Sequence, residues 1–132
     1  MKSLYFSYGI IGSVIVFLGI NYFILNSVFD FTKKELEKIP ENIGFYENIT
    51  DEDISRIRTH LENVREKWEK KESYLCMSLE HDVNREFLEN IMSAISFFKS
   101  QEYPEFIDKK MSAFDTLEHM IYDEGFRLGN FF

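Results

Sequence analysis

The hydrophobic and polar positions divide the chain into two unlike parts. From Ser3 to Phe29 there is no charged residue, and Leu, Ile, Val, Phe and Tyr dominate a segment that is long enough to cross a bilayer as a helix. Beyond it, apolar residues recur every three or four positions among charged ones, which is typical of helices that bury one face. The pattern predicts an all-α protein: a single N-terminal transmembrane helix with a helical stem, followed by a small antiparallel helical bundle.

Three segments follow from this division. We assign residues 1–39 to the transmembrane anchor and its stem, 40–50 to a connection, and 51–132 to an acidic helical bundle. The stem is rich in good helix formers, so the anchor helix is expected to continue as far as Pro40. A cleaved signal peptide is the alternative, but cleavage after Ser27 would require a small residue where Leu25 stands.

The bundle carries recognisable helix boundaries. Thr50 and the acidic residues after it predict an N-cap with a capping box. Pro104 is expected to begin the last helix and Gly125 to end it in a left-handed cap, with the aromatic residues beyond it packed back on the bundle. The helical spacing predicts these core residues: Leu61, Val64, Trp68, Leu88, Ile95, Phe114 and Ile121.

The region between Thr50 and Tyr103 has no Gly or Pro but holds two apolar stripes that lie about 160° apart on a straight helix. Either the helix breaks between about Ser73 and Asp82, or one continuous helix packs against different partners on its two sides. Weak helix formers in that interval favour the break. The bundle would then have about three helices, or one long kinked helix and a C-terminal helix.

The charge excludes one class of partner. The whole chain is formally −8, and the residues after Phe29 carry −9 because Lys2 is the only charge before them. Such a surface repels polyanions, so we expect no nucleic-acid partner. Cys76 is the only cysteine, so no intramolecular disulfide can form, and its apolar neighbours predict that it is buried.

Few residues of the chain have the type and spacing that a catalytic or metal site requires. Asp115 and His119 have the i, i+4 relation of a metal-binding pair, but no second pair completes a site. Phosphate-binding loops, dinucleotide fingerprints and nucleophile turns are absent from the sequence, so neither an enzyme nor a cofactor is predicted. His81 is expected to be half-buried and hydrogen-bonded across the bundle; alternatively, His81 and Tyr74 contact a ligand or respond to pH.

The anchor itself carries a stripe of small residues. Six positions at three-four spacing share one face of the helix: Gly9, Gly12, Val16, Gly19, Phe23 and Asn26. Glycines allow two membrane helices to approach closely, and an amide can bond between them. We expect this stripe to pack against another transmembrane helix, either a second copy or a polytopic partner, although glycine is also common in membrane helices that have no such role.

Several of these features together resemble a known family. They are the Met1-Lys2 start, the single anchor, Trp68 in a charged helix, His81 with an acidic neighbour, the late hydrophobic helix and the ending Asn130-Phe131-Phe132. The chain resembles a domain-of-unknown-function family of small, N-terminally membrane-anchored helical proteins of clostridia and related Firmicutes, which commonly end in Asn-Ile-Phe. Phe131 in place of Ile and the pair Asp82-Val83 are mild departures. The family has no assigned activity, and the proximity of its genes to those of polytopic membrane proteins implies an accessory subunit.

The sequence therefore predicts a bacterial single-pass protein of the cell membrane that acts as a protein-interaction module, an accessory or scaffold subunit. The alternative is a sensor-like helical bundle that responds to a ligand or to pH. Lys2 favours a cytoplasmic N-terminus, whereas Lys33, Lys34 and Lys38 favour the reverse. Short Met-Lys starts before a single apolar segment behave as export anchors, so we expect the bundle to be extracytoplasmic.

Overall fold

The protein is all-α. The structure, a computed structural model, describes the backbone of residues 2–79 and 81–131 and the side chains of these residues except 76–78 and 124–131. Helices make up 89% of it, and the described residues form no strand. The elements are α1 (Lys2–Glu37), α2 (Ile43–Glu47), α3 (Asp51–Lys70), α4 (Glu72–Ser78), α5 (His81–Lys99) and α6 (Tyr103–Phe131).

The helix α1 is continuous through the anchor and the stem, as the sequence predicts. It has 36 residues and ends three positions before Pro40, which cannot continue a helix. It is long and apolar enough to cross a membrane. Its two halves differ in surroundings, because residues 4–17 are exposed whereas Leu25, Val28, Phe29 and Leu36 belong to the core.

The second half of α1 is one of four helices of an up-down-up-down bundle. α1 contacts α3, α3 contacts α5, α5 contacts α6, and α6 returns to α1. The chain reverses direction at each step, so α6 runs antiparallel to α1. The core is therefore built from residues of α1 and α2 together with residues after 50, because the buried face of the stem completes it.

The start of α3 is fixed by the predicted capping box. The Thr50 hydroxyl accepts a hydrogen bond from the Asp53 backbone N–H, and the Asp53 carboxylate accepts one from the Thr50 N–H. These bonds satisfy backbone donors that a helix end leaves without partners. Carboxylates at Asp51, Glu52 and Asp53 also lie at the positive end of the helix dipole.

The predicted break is confirmed. Helical structure is interrupted at Lys71 and again at Leu79, whose ψ of 156° is extended. The interruptions let α3 and α5 both turn their apolar stripes to one core. The phase of α5 differs slightly from the prediction, since Phe87 and Ala94 are fully buried whereas Leu88 is half-buried.

The helix α6 begins at Tyr103, with Pro104 in its first turn, but Gly125 does not end it. The helix continues to Phe131, so the prediction of a left-handed cap at Gly125 is wrong. A glycine lacks a Cβ and can end a helix, but it is also tolerated inside one at a cost of about 1 kcal/mol. The predicted packing of the aromatic residues that follow concerns side chains outside the described residues.

Aromatic side chains fill the core at two levels. The Trp68 ring lies 4.2 Å from that of Phe87 and 6.5 Å from that of Phe29, between centroids. Nearer to the α1–α2 connection, Tyr46 stacks on Tyr103 and meets the edge of Phe106. Of the predicted core residues, Leu61, Val64, Trp68 and Ile95 are buried, and Leu88, Phe114 and Ile121 are half-buried against the core.

Candidate functional site

The exposed apolar half of α1 is the most unusual surface of the molecule. Large hydrophobic side chains occupy every side of the helix between residues 4 and 23, and Tyr5, Phe6 and Phe23 are each more than 70% exposed. Soluble monomers rarely expose a contiguous apolar surface of this extent. An apolar surface of this extent is typical of a helix that lies in lipid or against another protein.

The predicted glycine stripe lies within this surface, on the side of α1 opposite to the bundle. At about 100° per residue, its six positions centre about 170° around the helix from the buried positions of the stem. A Cβ built on Gly9, Gly12 or Gly19 would meet nothing within 4 Å. The bundle thus leaves the stripe open along its whole length.

The other predicted members of the stripe have the same exposure. Val16, Phe23 and Asn26 are all exposed, so the structure brings the six residues together on one free face. The face continues out of the apolar segment to Asp30 and Lys34, which form an exposed ion pair of 3.0 Å. Along this face, small and apolar side chains are thus followed by charged ones at the level where the bundle begins.

His81 differs from its prediction. It is exposed in the first turn of α5, so the half-buried histidine hydrogen-bonded across the bundle is wrong. The physical reason is its place at the end of the bundle, where the chain turns from α4 into α5. Tyr74 is half-buried in α4 against the core. A shared role of His81 and Tyr74 in ligand contact stays a prediction.

The sequence analysis missed a polar cluster that joins α1 to α3. His60 Nδ1 lies 2.7 Å from Glu35 Oε2, so the ring nitrogen carries the proton that the carboxylate accepts. Asn63 donates to the same oxygen over 3.4 Å, and Lys38 lies 3.5 Å from the other one. Glu35 is only 7% exposed, which is rare for a glutamate without partners.

The partners of Glu35 determine its ionisation. Burial, the largest single effect, raises the pKa of Glu35, but the hydrogen bonds from His60 and Asn63 and the electrostatic attraction of His60 and Lys38 together outweigh it and leave the pKa lowered. His60 and Asn63 are three positions apart on α3, beside the buried Leu61 and Val64. From that spacing alone, the sequence could have predicted that two polar side chains lie at the edge of the buried face of α3.

A second polar contact holds the chain that follows α1. Lys110 of α6 is 2% exposed and donates to the Ile39 carbonyl over 3.2 Å and to the Glu41 carboxylate over 2.7 Å. The Tyr46 hydroxyl donates to the Pro40 carbonyl over 2.5 Å, and burial raises the pKa of Tyr46. These bonds fix the turn out of α1 against α6.

The other residues that the sequence singled out lie on α4 and α6. Asp115 and His119 line an open depression on α6 together with Glu118 and Tyr122. Within the described residues, no group of three or more His, Cys, Asp or Glu side chains could hold a metal ion. The burial predicted for Cys76 concerns a side chain outside the described ones.

The architecture and these contacts can be set against known proteins. Comparisons with protein-family models, with curated proteins and with solved structures found no match.

Proposed function

We propose that the protein is a membrane-tethered helical interaction module, an accessory or scaffold subunit without catalytic activity of its own. In this proposal α1 crosses the cell membrane once, the bundle lies directly beside the membrane, and the glycine stripe packs against another transmembrane helix. The observation that carries the proposal is the contrast within α1, whose first half is exposed on every side while one face of its second half is buried in the core.

The length of the apolar part of α1 that lies outside the core supports a membrane span. Residues 3–24 extend over about 33 Å as a helix, close to the roughly 30 Å thickness of a bilayer's hydrocarbon core. The apolar residues that follow, Leu25, Val28 and Phe29, are covered by the bundle. In this proposal, the bilayer covers the first part of the charge-free segment and the bundle core covers the apolar residues at its end.

The position of the glycine stripe supports a helix as its partner. In lipid there is no hydrophobic drive between helices, so close backbone contact at small residues stabilises their association. Because the bundle lies on the opposite side of α1, a second helix can approach Gly12 and Gly19 without meeting it. Either a second copy of the chain or a helix of a polytopic protein satisfies this geometry.

The decisive experiment adds bulk to the stripe. We expect Gly12→Ile with Gly19→Ile to abolish helix association in a membrane two-hybrid or crosslinking assay while leaving membrane insertion intact. The matched control is Ser7→Ile, which adds a similar side chain about 150° away from the stripe. Equal association of the parent and the double variant would refute the role of the stripe.

The identity of the partner needs a separate measurement. Purification of the full chain in mild detergent, followed by mass spectrometry and by measurement of its oligomeric state, separates a second copy from a different membrane protein. Recovery of a monomer alone, in repeated preparations, would contradict the proposed module. The mass of the purified chain also tests retention of α1, because an uncleaved chain has 15.8 kDa.

A further inference from the structure

The last helix extends past its neighbour. α6 has 29 residues whereas α5 has 19, and the two are paired near their connection, where the Phe98 and Phe106 rings lie 5.0 Å apart. At 1.5 Å per residue, His81 at the start of α5 is level with about Asp123 of α6. The backbone of residues 124–131 therefore continues for about 12 Å beyond the end of α5.

The same segment can be placed against α1. Lys110 donates to the Ile39 carbonyl, and α6 runs antiparallel to α1 from that point. Because both helices rise by about 1.5 Å per residue, Glu124 is level with about Leu25, and Phe131 is level with about Leu18. Residues 125–131 thus lie beside the apolar half of α1, at the level where our proposed function places the membrane.

The burial along α1 agrees with this placement. Residues 4–17 are all exposed, whereas Leu18, Asn21 and Ile24 are half-buried and lie on the side that faces the bundle. The cover on α1 therefore extends down to Leu18, the level that the end of α6 reaches. Counted from α5, residues 124–131 lie beyond the end of that helix; counted from α1, their backbone is level with Leu25 to Leu18.

The composition of α6 changes at this same position. Acidic residues recur along the helix as far as Asp123 and Glu124, and residues 125–131 then read Gly-Phe-Arg-Leu-Gly-Asn-Phe, with no acid. The transfer of phenylalanine and leucine side chains out of water lowers the free energy. Arginine is tolerated at a bilayer surface because its long side chain reaches the headgroups. The apolar residues begin where the geometry places the membrane surface.

We propose that residues 125–131 enter the interfacial layer of the same membrane that α1 crosses, so that the protein contacts lipid at a second place. The inference rests on the proposed function in one respect, which is that α1 spans the membrane. Lipid is the occupant because this segment lies beside a part of α1 that the proposed function places in the bilayer. The bundle is thereby attached to the bilayer through both α1 and α6.

The test measures the depth of α6 in proteoliposomes of the full chain. Cys76 is replaced by serine, and single cysteines at Leu128→Cys or Phe131→Cys carry a polarity-sensitive fluorophore. Phe17→Cys serves as a reference inside the proposed span, and Met111→Cys, an exposed residue of α6 in the bundle, serves as a reference in water. Nitroxides on the lipid acyl chains and a soluble quencher report the surroundings of each label, and circular dichroism checks that each variant is folded.

We expect the labels at Leu128 and Phe131 to show blue-shifted emission and quenching by nitroxides near the headgroups, with protection from the soluble quencher. Labels that behave like Met111 while Phe17 is quenched by lipid would overturn this proposal and leave the span intact. A Phe17 label in water would overturn the span itself. Labels in a dry environment that no lipid nitroxide reaches would mean that α6 ends against protein, which also refutes the lipid contact.

Discussion

The indole nitrogen of Trp68 donates a hydrogen bond to the Thr32 hydroxyl, 2.8 Å away, in the middle of the bundle core. Thr32 in turn donates to the Val28 carbonyl over 2.7 Å, so both polar groups are satisfied although both residues are buried. The pair joins α3 to α1 just above the proposed membrane surface. It shows that the stem of the anchor is held by a specific bond as well as by apolar contact.

We expect Thr32→Val to destabilise the protein by about 1–3 kcal/mol, because the substitution keeps the shape but leaves the buried indole N–H without an acceptor. Thr32→Ser retains the hydroxyl and should lose less. Denaturant unfolding of the full chain in detergent, followed by Trp68 fluorescence, measures both variants. If Thr32→Val is as stable as the parent, the hydrogen bond does not contribute.

Glu35 predicts a loss of stability in acid. Its pKa in the folded protein is lowered from the ordinary value of 4.5, so the unfolded chain binds its proton more readily. Its contribution is therefore complete above pH 4.5 and is lost as the pH falls through the lowered pKa. Melting temperatures measured as a function of pH should show a smaller decline in acid for Glu35→Gln than for the parent.

The matched control for Glu35 is Glu86→Gln, which changes an exposed carboxylate on α5. This variant should follow the parent at every pH. Identical pH profiles of Glu35→Gln and the parent would contradict the stabilising role that we assign to the cluster of Glu35, His60 and Asn63.

The phase of α5 can be tested by two adjacent substitutions. Phe87 is fully buried against Trp68, so Phe87→Ala should cost about 3–5 kcal/mol. Leu88 is half-buried, and Leu88→Ala should cost clearly less. Thermal melts of the two variants give the order, and a larger loss at Leu88 would mean that α5 is rotated from the orientation described.

The orientation of the protein in the membrane is a separate prediction. We expect the bundle to be extracytoplasmic, with Lys2 on the cytoplasmic side. Met92 is exposed on α5, so Met92→Cys in a Cys76→Ser background should react with a membrane-impermeant maleimide in intact cells. A label that appears only after the cells are opened, at a thiol that reacts in detergent, would reverse the orientation.

Local patterns account for what could be predicted from the sequence. The Thr50 capping box and the face shared by Gly12 and Gly19 depend on residues within two helical turns of one another, and the interruption before α5 depends on the relative phase of two apolar stripes along one stretch of chain. The helical period alone determines which of these residues lie together. Such features are therefore visible before the fold is known.

Contacts between distant segments could not be predicted in this way. Glu35 and His60 are 25 positions apart, and their contact exists only because α1 packs on α3. The sequence also did not show where the exposed part of the charge-free segment ends and its buried part begins, for a different reason. Leu25 in the core and Phe23 on the surface are both apolar, and a side chain that faces lipid has the same chemistry as one that faces a protein interior.

The absence of any interruption between the exposed and buried halves of α1 has a mechanical consequence. The helix is continuous from Lys2 to Glu37, so in the proposed arrangement no loop separates the bundle from the part of α1 that spans the membrane. If α1 spans the bilayer as proposed, a tilt or axial rotation of this helix would turn the bundle through the same angle. A neighbour that changes the tilt of α1 within the bilayer would thus reorient the acidic surface some tens of ångströms away, without any change of fold.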